Sequence, residues 1–415
     1  MISKSEAGLL SGREVVCAYR VTTKLDIKKA AMAIAAEQST GTWTKVATRS
    51  DAIDRKLAGR VLSTRNLGKS EFIVIIEYPL ADFDPYEGGV PQMLSVVAGN
   101  LFGLEDLSSV RLESMHIPKE IAAAFPGPKH GADGIYSKLG RKAGRPLLGT
   151  IVKPKIGLSP KATANYVYRV GMGGLTNSKD DETLTDQAFC PIIERTRAIA
   201  EAIDRVKSET GRKMMHAINV STRPDRILEL ADKVTSAGAT ELMIDVLTCG
   251  FPAVQILAED QSVTLPLHIH RTMHGAITRN PHHGISMEIF SQLTRMCGGD
   301  ALHVGTFGIG KMHGDRDEDM NSKRRLTEEF YGRPDVLPVC SGGVHPGLLP
   351  KILKTAGMKI QIQAGGGVSG HPRGLEAGAM AMNQAVDAFI EGKSLRSYSK
   401  DHREIREALE KWGEG

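Results

Sequence analysis

The chain has 415 residues, 41% of them hydrophobic and 24% charged, with a formal net charge of +5. That balance excludes disordered and fibrous classes, leaves room for a large barrel beside a smaller domain, and lacks the concentrated basic tract of a nucleic-acid binder. Five cysteines (Cys17, Cys190, Cys249, Cys297 and Cys340), odd in number and without a Cys-x-x-Cys pair, exclude a disulfide framework and a structural zinc site. Buried thiols are expected. No apolar stretch approaches the roughly 18 to 20 residues of a membrane span, and Met1-Ile2-Ser3-Lys4-Ser5-Glu6 lacks the charged-then-apolar layout of a secretion signal. A cytosolic chain with no membrane partner is expected, and the modest positive charge suits small anions.

In chain order, Glu14 to Thr22 and Phe72 to Tyr78 read as strands, and Asp26 to Gln38 and Gln92 to Phe102 as helices. They indicate a small α+β domain of ferredoxin-like type over residues 1–125. Phe125-Pro126-Gly127-Pro128-Lys129-His130-Gly131 then punctuates the chain with turn residues. Over 126–415 the rhythm becomes strand, then helix, repeatedly. Eight strands are expected: Leu147 to Val152, Gly174 to Lys179, Met214 to Val220, Glu241 to Val246, Leu265 to His270, Leu302 to Gly305, Val336 to Val339 and Ile360 to Ala364. Cys190 to Glu209, Asp225 to Gly238 and Gly284 to Met296 show helical periodicity between them. Eight apolar strands alternating with helices predict an α/β chain ending in a (β/α)8 TIM barrel, with an open doubly wound sheet as the competing architecture.

Barrel enzymes build their sites at the carboxyl ends of the strands, so the residues just past each strand decide between these architectures. The first strand runs into Lys153-Pro154-Lys155 and the second into Lys179-Asp180-Asp181-Glu182. The fifth ends in His268-Ile269-His270-Arg271, and the sixth carries His303 and then Gly308-Ile309-Gly310-Lys311. Ser341-Gly342-Gly343-Val344-His345 closes the seventh and Gly365-Gly366-Gly367 the eighth. In a strand alternate side chains share a side, so Lys179 and Asp181 face together, and Glu182 joins them as the strand gives way to a loop. Two carboxylates can hold magnesium together with other oxygen ligands. A lysine among them is a poor partner unless its charge is removed. Read alone, the same four residues are a solvated charge run, and a lone strand histidine is an ordinary hydrogen-bonded core residue.

Lys153 and Lys155 repel one another unless an anion compensates, and an anionic substrate would do so. Glycine-rich turns after the last two strands of a barrel are a recurring phosphate cradle. Gly365-Gly366-Gly367-Val368-Ser369-Gly370 satisfies the G-x-G-x-x-G dinucleotide pattern, but it falls on the last strand, where no further βαβ unit can form. It reads as a phosphate loop.

These motifs resemble those of ribulose-1,5-bisphosphate carboxylase (RuBisCO) large subunits, most closely the archaeal form III. The resemblance runs along nearly the whole chain. It is carried by Ser39-Thr40-Gly41-Thr42-Trp43-Thr44, Gly149-Thr150-Ile151-Val152-Lys153-Pro154-Lys155, Lys179-Asp180-Asp181-Glu182 and His268-Ile269-His270-Arg271-Thr272-Met273-His274. Thr278-Arg279-Asn280-Pro281, His283-Gly284-Ile285-Ser286-Met287 and Gly305-Thr306-Phe307-Gly308-Ile309-Gly310-Lys311 point to the archaeal branch.

The resemblance implies a role for each residue. Lys179 is carbamylated by carbon dioxide and, with Asp181 and Glu182, holds Mg2+. The metal polarises the ketone of ribulose 1,5-bisphosphate, and the enediolate is carboxylated with CO2 and water to two 3-phosphoglycerates, with oxygenation as a side reaction. Lys153 handles protons, supported by Lys155. Lys311 closes over the site and stabilises charge on the incoming gas, and His270 assists hydration. Arg271, His303 and Ser341 surround one phosphate; Gly342, Gly343, Gly365 and Gly366, with Thr42 and Trp43, take the other. Glu37, Thr42, Trp43 and Asn100 come from a second subunit, so a homodimer with shared active sites, or a higher oligomer of dimers, is implied. The resemblance further implies a place in archaeal nucleotide salvage.

Three departures from the family pattern stand out. Thr176-Asn177-Ser178 precedes the reactive lysine where Asp-Phe-Thr or similar is usual, Thr183 comes after the carboxylates in place of asparagine, and Met312-His313 comes after Lys311 where a glutamate is usual in second place. The alternative is a RuBisCO-like protein that enolises, isomerises or decarboxylates another sugar phosphate. A third reading, a non-catalytic phosphosugar-binding module, leaves the lysine charges unexplained.

Overall fold

The computed structural model describes residues 12–41, 44, 46–310 and 314–415. They form two compact units, one of residues up to Pro126 together with Met273–Met296, the other of Gly127–Thr272 with Cys297–Gly415.

The first unit runs β1 (Val15–Thr22), helix Ile27–Glu37, a short helix Asp51–Leu57, β2 (Arg60–Gly68), β3 (Glu71–Tyr78), helix Gly89–Val97 and β4 (Ser109–His116). The sheet order β4-β1-β3-β2, with antiparallel pairing throughout these four, is the ferredoxin-like split arrangement. β1 and β3 are buried nearly end to end, whereas β2 is an edge strand with an exposed second half. Asp26 starts the first helix by accepting from the N–H groups of Lys28 and Lys29. The helix expected over 92–102 begins earlier, at Gly89, and stops at Val97. Gly99-Asn100, both poor helix formers, precede a separate 3-10 turn, Leu101–Gly103. A two-residue strand, β10 (Gly284–Ile285), adds to the sheet in parallel with β4. The expected barrel helix from Gly284 therefore begins only at Met287, and its segment belongs to the first unit.

The second unit is a closed barrel of eight strands: β5 (Leu147–Ile151), β6 (Asn177–Lys179), β7 (Met215–Asn219), β8 (Glu241–Asp245), β9 (Leu267–His270), β11 (Ala301–Gly305), β12 (Leu337–Ser341) and β13 (Gln361–Gln363). Every neighbouring pair is parallel, and β13 closes on β5 through Gln361 opposite Leu147. The amino-terminal end is sealed by helix Gly131–Lys138, whose Ala132, Ile135 and Tyr136 pack with Leu139, Leu147, Met215, Ala301 and Leu337. Each such large apolar side chain contributes about 1.5–3 kcal/mol by leaving water. Farther along, the barrel is filled with polar groups, among them buried Asn177, Glu241, His268, Gln361 and Gln363. Gly149 makes this possible, since a Cβ there would sit 3.0 Å from the Gln363 amide carbon and 3.1 Å from Asn177.

Four cysteines are buried and Cys249 is half-buried, and all five thiols are free. Among the described residues no helix is long and apolar enough to cross a membrane.

Candidate active site

At the carboxyl end of β6, Lys179, Asp180 and Asp181 are all buried. Burial pushes the Lys179 amine below its usual range, against the pull of Glu182, Asp181 and Asp245. Its Nζ donates to the Asp180 carbonyl at 2.8 Å, touches the Met243 sulfur at 3.4 Å and stands 4.0 Å from Glu182. The Lys153 ammonium donates to Asp181 Oδ2 at 2.7 Å, and Lys155 donates to Glu182 Oε1 at 3.2 Å. Glu182 and Asp181 in turn hold the Lys155 amine above its ordinary value. Three lysines and two carboxylates thus converge where two neighbouring strands end. A Cβ on Gly365 would come within 3.1 Å of the Lys153 Cε, so glycine at the end of the eighth barrel strand leaves this lysine its path.

His270 ends β9 with Nδ1 3.1 Å from Asp245 Oδ1 and Nε2 3.9 Å from Glu182 Oε2. Burial, and then the Lys179 charge, depress it to about 4, so it is neutral at physiological pH. Its ring lies 4.7 Å from that of His303. His303 contacts Ser341 Oγ at 2.6 Å through Nδ1 and His268 at 2.8 Å through Nε2. Burial and the surrounding cations hold His303 well below its ordinary range. Arg271 comes directly after His270, and burial lowers its guanidinium while Asp319 and Glu318 attract it.

Gly342 and Gly343 both take positive φ, 121° and 69°, in the loop after β12. Such turns expose consecutive N–H groups to anions. Gly365 and Gly366 open the short turn after β13. The loop after β11 is pinned at its base: Phe307 N–H donates to Asp319 Oδ2 at 2.8 Å, and Gly310 N–H to Thr306 Oγ1 at 3.0 Å. A Cβ at Gly305 would run into the Asp319 carboxylate.

Lys153, Lys155, Lys179, Asp181, Glu182, His270, His303 and Ser341 are therefore joined by short contacts at one end of the barrel. Arg271, Gly342, Gly343, Gly365 and Gly366 lie in or beside the loops at that end. Glu37 closes helix Ile27–Glu37 and Asn100 is exposed before the Leu101 turn, both in the first unit. Thr42, Trp43 and Lys311, with Met312-His313, lie outside the described residues.

Sequence reasoning missed the groups that hold this arrangement. Asp180, on the opposite side of the strand from Lys179, binds Arg195 and His216 at 3.1 Å each and accepts from Asn219 N–H at 3.0 Å. Burial alone would raise its carboxyl, but Arg195 and His216 outweigh that and bring it down to about 2. The Asn219 amide also donates to the carbonyls of Asp181 and Glu182. Asn219 and Asp245 are the last residues of β7 and β8, so their strand-end position was the available signal.

Residues 134–412 match the family model described as the ribulose bisphosphate carboxylase large chain, catalytic domain, and residues 9–121 match that family's N-terminal domain. The chain belongs to the ribulose bisphosphate carboxylase large-chain family. It is an enzyme of that carboxylase type. It is 38% identical to the ribulose bisphosphate carboxylase of Archaeoglobus fulgidus over 96% of this chain and 94% of the relative, and 40% identical to that of Pyrococcus abyssi over 93% and 90%. Among solved structures, the dimeric archaeal RuBisCO of Hyperthermus butylicus superposes with a TM-score of 0.89 at 37% identity, covering 98% of this chain and 97% of that one. The octameric RuBisCO of Pyrococcus horikoshii, solved as a sulfate complex, gives 0.91 at 37% identity, covering 97% and 94%. The RuBisCO barrel with a separate N-terminal sheet domain is thus the fold of this chain.

Proposed function

We propose that the enzyme carboxylates ribulose 1,5-bisphosphate with CO2 and water to two molecules of 3-phosphoglycerate, with oxygen as competing co-substrate. The observation that carries this reading is the buried Lys179 amine beside Asp181 and Glu182, which burial holds below its usual range and so brings closer to its neutral form. A neutral amine is the form that attacks carbon dioxide. The ammonium first gives up a proton, and the amine nitrogen then bonds carbon dioxide with loss of a second proton, so a buried cation is replaced by an anionic oxygen donor beside Asp181 and Glu182. That donor set fits Mg2+, a hard ion that prefers oxygen. When bound, the metal would polarise the substrate ketone and make the neighbouring C–H acidic.

The residues of the chain do the rest. Lys179, once carbamylated, accepts the proton from that C–H. Lys153, which donates to Asp181 here, would be freed from that partner where Asp181 holds the metal, and it then delivers and withdraws protons while Lys155 keeps positive potential beside it. His270, neutral and oriented by Asp245, has Nε2 free to bond a substrate hydroxyl or the incoming water. His303, Ser341 and Arg271 suit one phosphate, and the N–H groups at Gly342, Gly343, Gly365 and Gly366 suit the other. Lys311 takes the role of covering the gas. Glu37, Thr42, Trp43 and Asn100 complete the site from a partner subunit, which makes a homodimer the working unit. By the same reading, resting on the resemblance to the archaeal form, the enzyme serves nucleotide (AMP) salvage.

The test supplies ribulose bisphosphate, magnesium and labelled bicarbonate and traces label into 3-phosphoglycerate. Label there supports the reading. Solvent proton exchange or an isomerised sugar without label assigns the chain instead to the RuBisCO-like reaction.

A further inference from the structure

At the other end of the barrel, the loops that precede β5, β6 and β7 wall a cavity of about 610 Å3 with Arg141, Arg145, Arg212, Met172, Met380 and Asn383 among its lining. Arg145 lies just before Leu147, Met172 ends the helix before β6, and Arg212 lies just before Met215. The catalytic lysines sit at or just past the last residues of β5 and β6, so the cavity and the active site occupy opposite ends. Nothing in the carboxylation chemistry uses it.

The chain concentrates cations here in a repeated form, Gly140-Arg141-Lys142 and Gly211-Arg212-Lys213. Two of the arginines have work. Arg145 pairs with Asp387 and donates to Asn383 Oδ1 at 3.2 Å. Arg212 donates to the carbonyls of Gly171 and Met172, at the carboxyl end of helix Pro160–Met172. Glu376, which also lines the cavity, is turned to Arg169 at 3.3 Å. The Arg141 guanidinium has no carboxylate and no hydrogen-bond acceptor among the described residues; only its backbone N–H is engaged, donating to the Tyr136 carbonyl at 2.9 Å. Half-burial lowers its guanidinium, and repulsion from Arg145 and Arg212 lowers it further. A half-buried fork of donors facing two other guanidinium groups is unfavourable unless an anion joins them.

We propose that this cavity binds a phosphorylated organic molecule, with the phosphate on the Arg141 guanidinium and an apolar body against Met172 and Met380. The volume supports an organic ligand: it lies within the range of about 300–1,000 Å3 usual for small-molecule sites and far exceeds a bare phosphate. Met380 is 37% exposed, an adaptable apolar surface of the sort that accepts a ring.

Calorimetric titration of the full chain with inorganic phosphate and with phenyl phosphate tests this. The unsubstituted protein should show a class of sites whose affinity for phenyl phosphate is severalfold above that for inorganic phosphate. Arg141→Ala should weaken that class about tenfold or more, the cost of a charged hydrogen-bonding pair, and leave carboxylase turnover unchanged. Arg141→Lys, with charge but no fork, should fall between. Identical isotherms for the unsubstituted protein and Arg141→Ala would overturn the proposal, and equal affinity for the two ligands would overturn its organic part. A second variant guards against misfolding. Arg141→Gln relieves the repulsion, so its phosphate-free Tm should be no lower, while the Tm rise with phenyl phosphate should shrink. A lowered Tm with an undiminished phenyl phosphate rise counts against the site.

Discussion

His268 and His303 face each other through Nε2 atoms 2.8 Å apart, so one ring must carry a proton there and the other must not. Glu241 Oε1 lies 3.5 Å from His268 Nδ1, and its negative charge favours the proton on that nitrogen. His268 Nε2 is then the acceptor, His303 Nε2–H the donor, and His303 Nδ1 accepts from the Ser341 hydroxyl at 2.6 Å. A buried carboxylate thereby sets, through two imidazoles, which way the Ser341 hydroxyl points. Glu241→Gln keeps the volume and removes the charge. It should raise KM for the bisphosphate severalfold with a smaller change in kcat, and the tautomers of His268 and His303, read by nitrogen NMR, should change. A variant with unaltered tautomers and KM would sink this assignment.

Lys179→Ala should abolish turnover, and Asp181→Asn should reduce it by at least about two orders of magnitude, the scale of a lost electrostatic partner of the transition state. Both variants should fold, because each leaves the Asp180–Arg195 pair intact. Measured incorporation of labelled CO2 into the unsubstituted protein, absent from Lys179→Ala, checks the carbamate independently of turnover.

Asp180 gives the fold a sharp acid limit. Its carboxyl titrates near 2 in the folded chain against an ordinary 3.8. A depressed carboxyl stabilises above its unfolded value, so the contribution, about 2 kcal/mol, is full at neutral pH and is lost as pH falls from about 4 through 2. Asp180→Asn should remove that dependence. It should also cost about 3–5 kcal/mol at neutral pH by leaving the buried Arg195 uncompensated. Denaturant midpoints between pH 2 and 7 measure both effects.

His270 is a base whose folded value is lowered rather than an acid. That value, about 4, lies below the ordinary 6.5, so between the two the unfolded chain binds the proton and the folded chain does not. Stability should therefore fall as pH drops from 6.5 to about 4, with His303 adding to the same slope. His270→Asn should flatten it, and NMR titration should show the His270 ring neutral at pH 6.

Leu147→Ala empties the apolar seal beneath the barrel, where Leu147 packs with Ile135, Tyr136 and Leu337. A loss of about 2–5 kcal/mol is expected in urea midpoints, with kcat of the folded fraction unchanged because the seal lies at the end away from Lys153.

The sequence alone determined the barrel, its eight strands to within a few residues, and the polar residues ending them, because strands buried on both sides are written as short apolar runs and because a catalytic end must interrupt that apolarity. The KDDE run and the paired lysines carried the chemistry for the same reason: charges so placed need an explanation. What the sequence could not show was set by contacts between residues distant along the chain. β2 escaped notice because an exposed edge strand shows no apolar alternation. The 284–296 segment reads as a barrel helix, yet Gly284-Ile285 pairs with β4, a choice made by backbone hydrogen bonds rather than side-chain pattern. Asp180 has no role that the KDDE run by itself assigns. Only the closed barrel brings Arg195 and His216 to it, and only that closure turns Glu241, His268, His303 and Ser341, on four successive strands, into one connected chain.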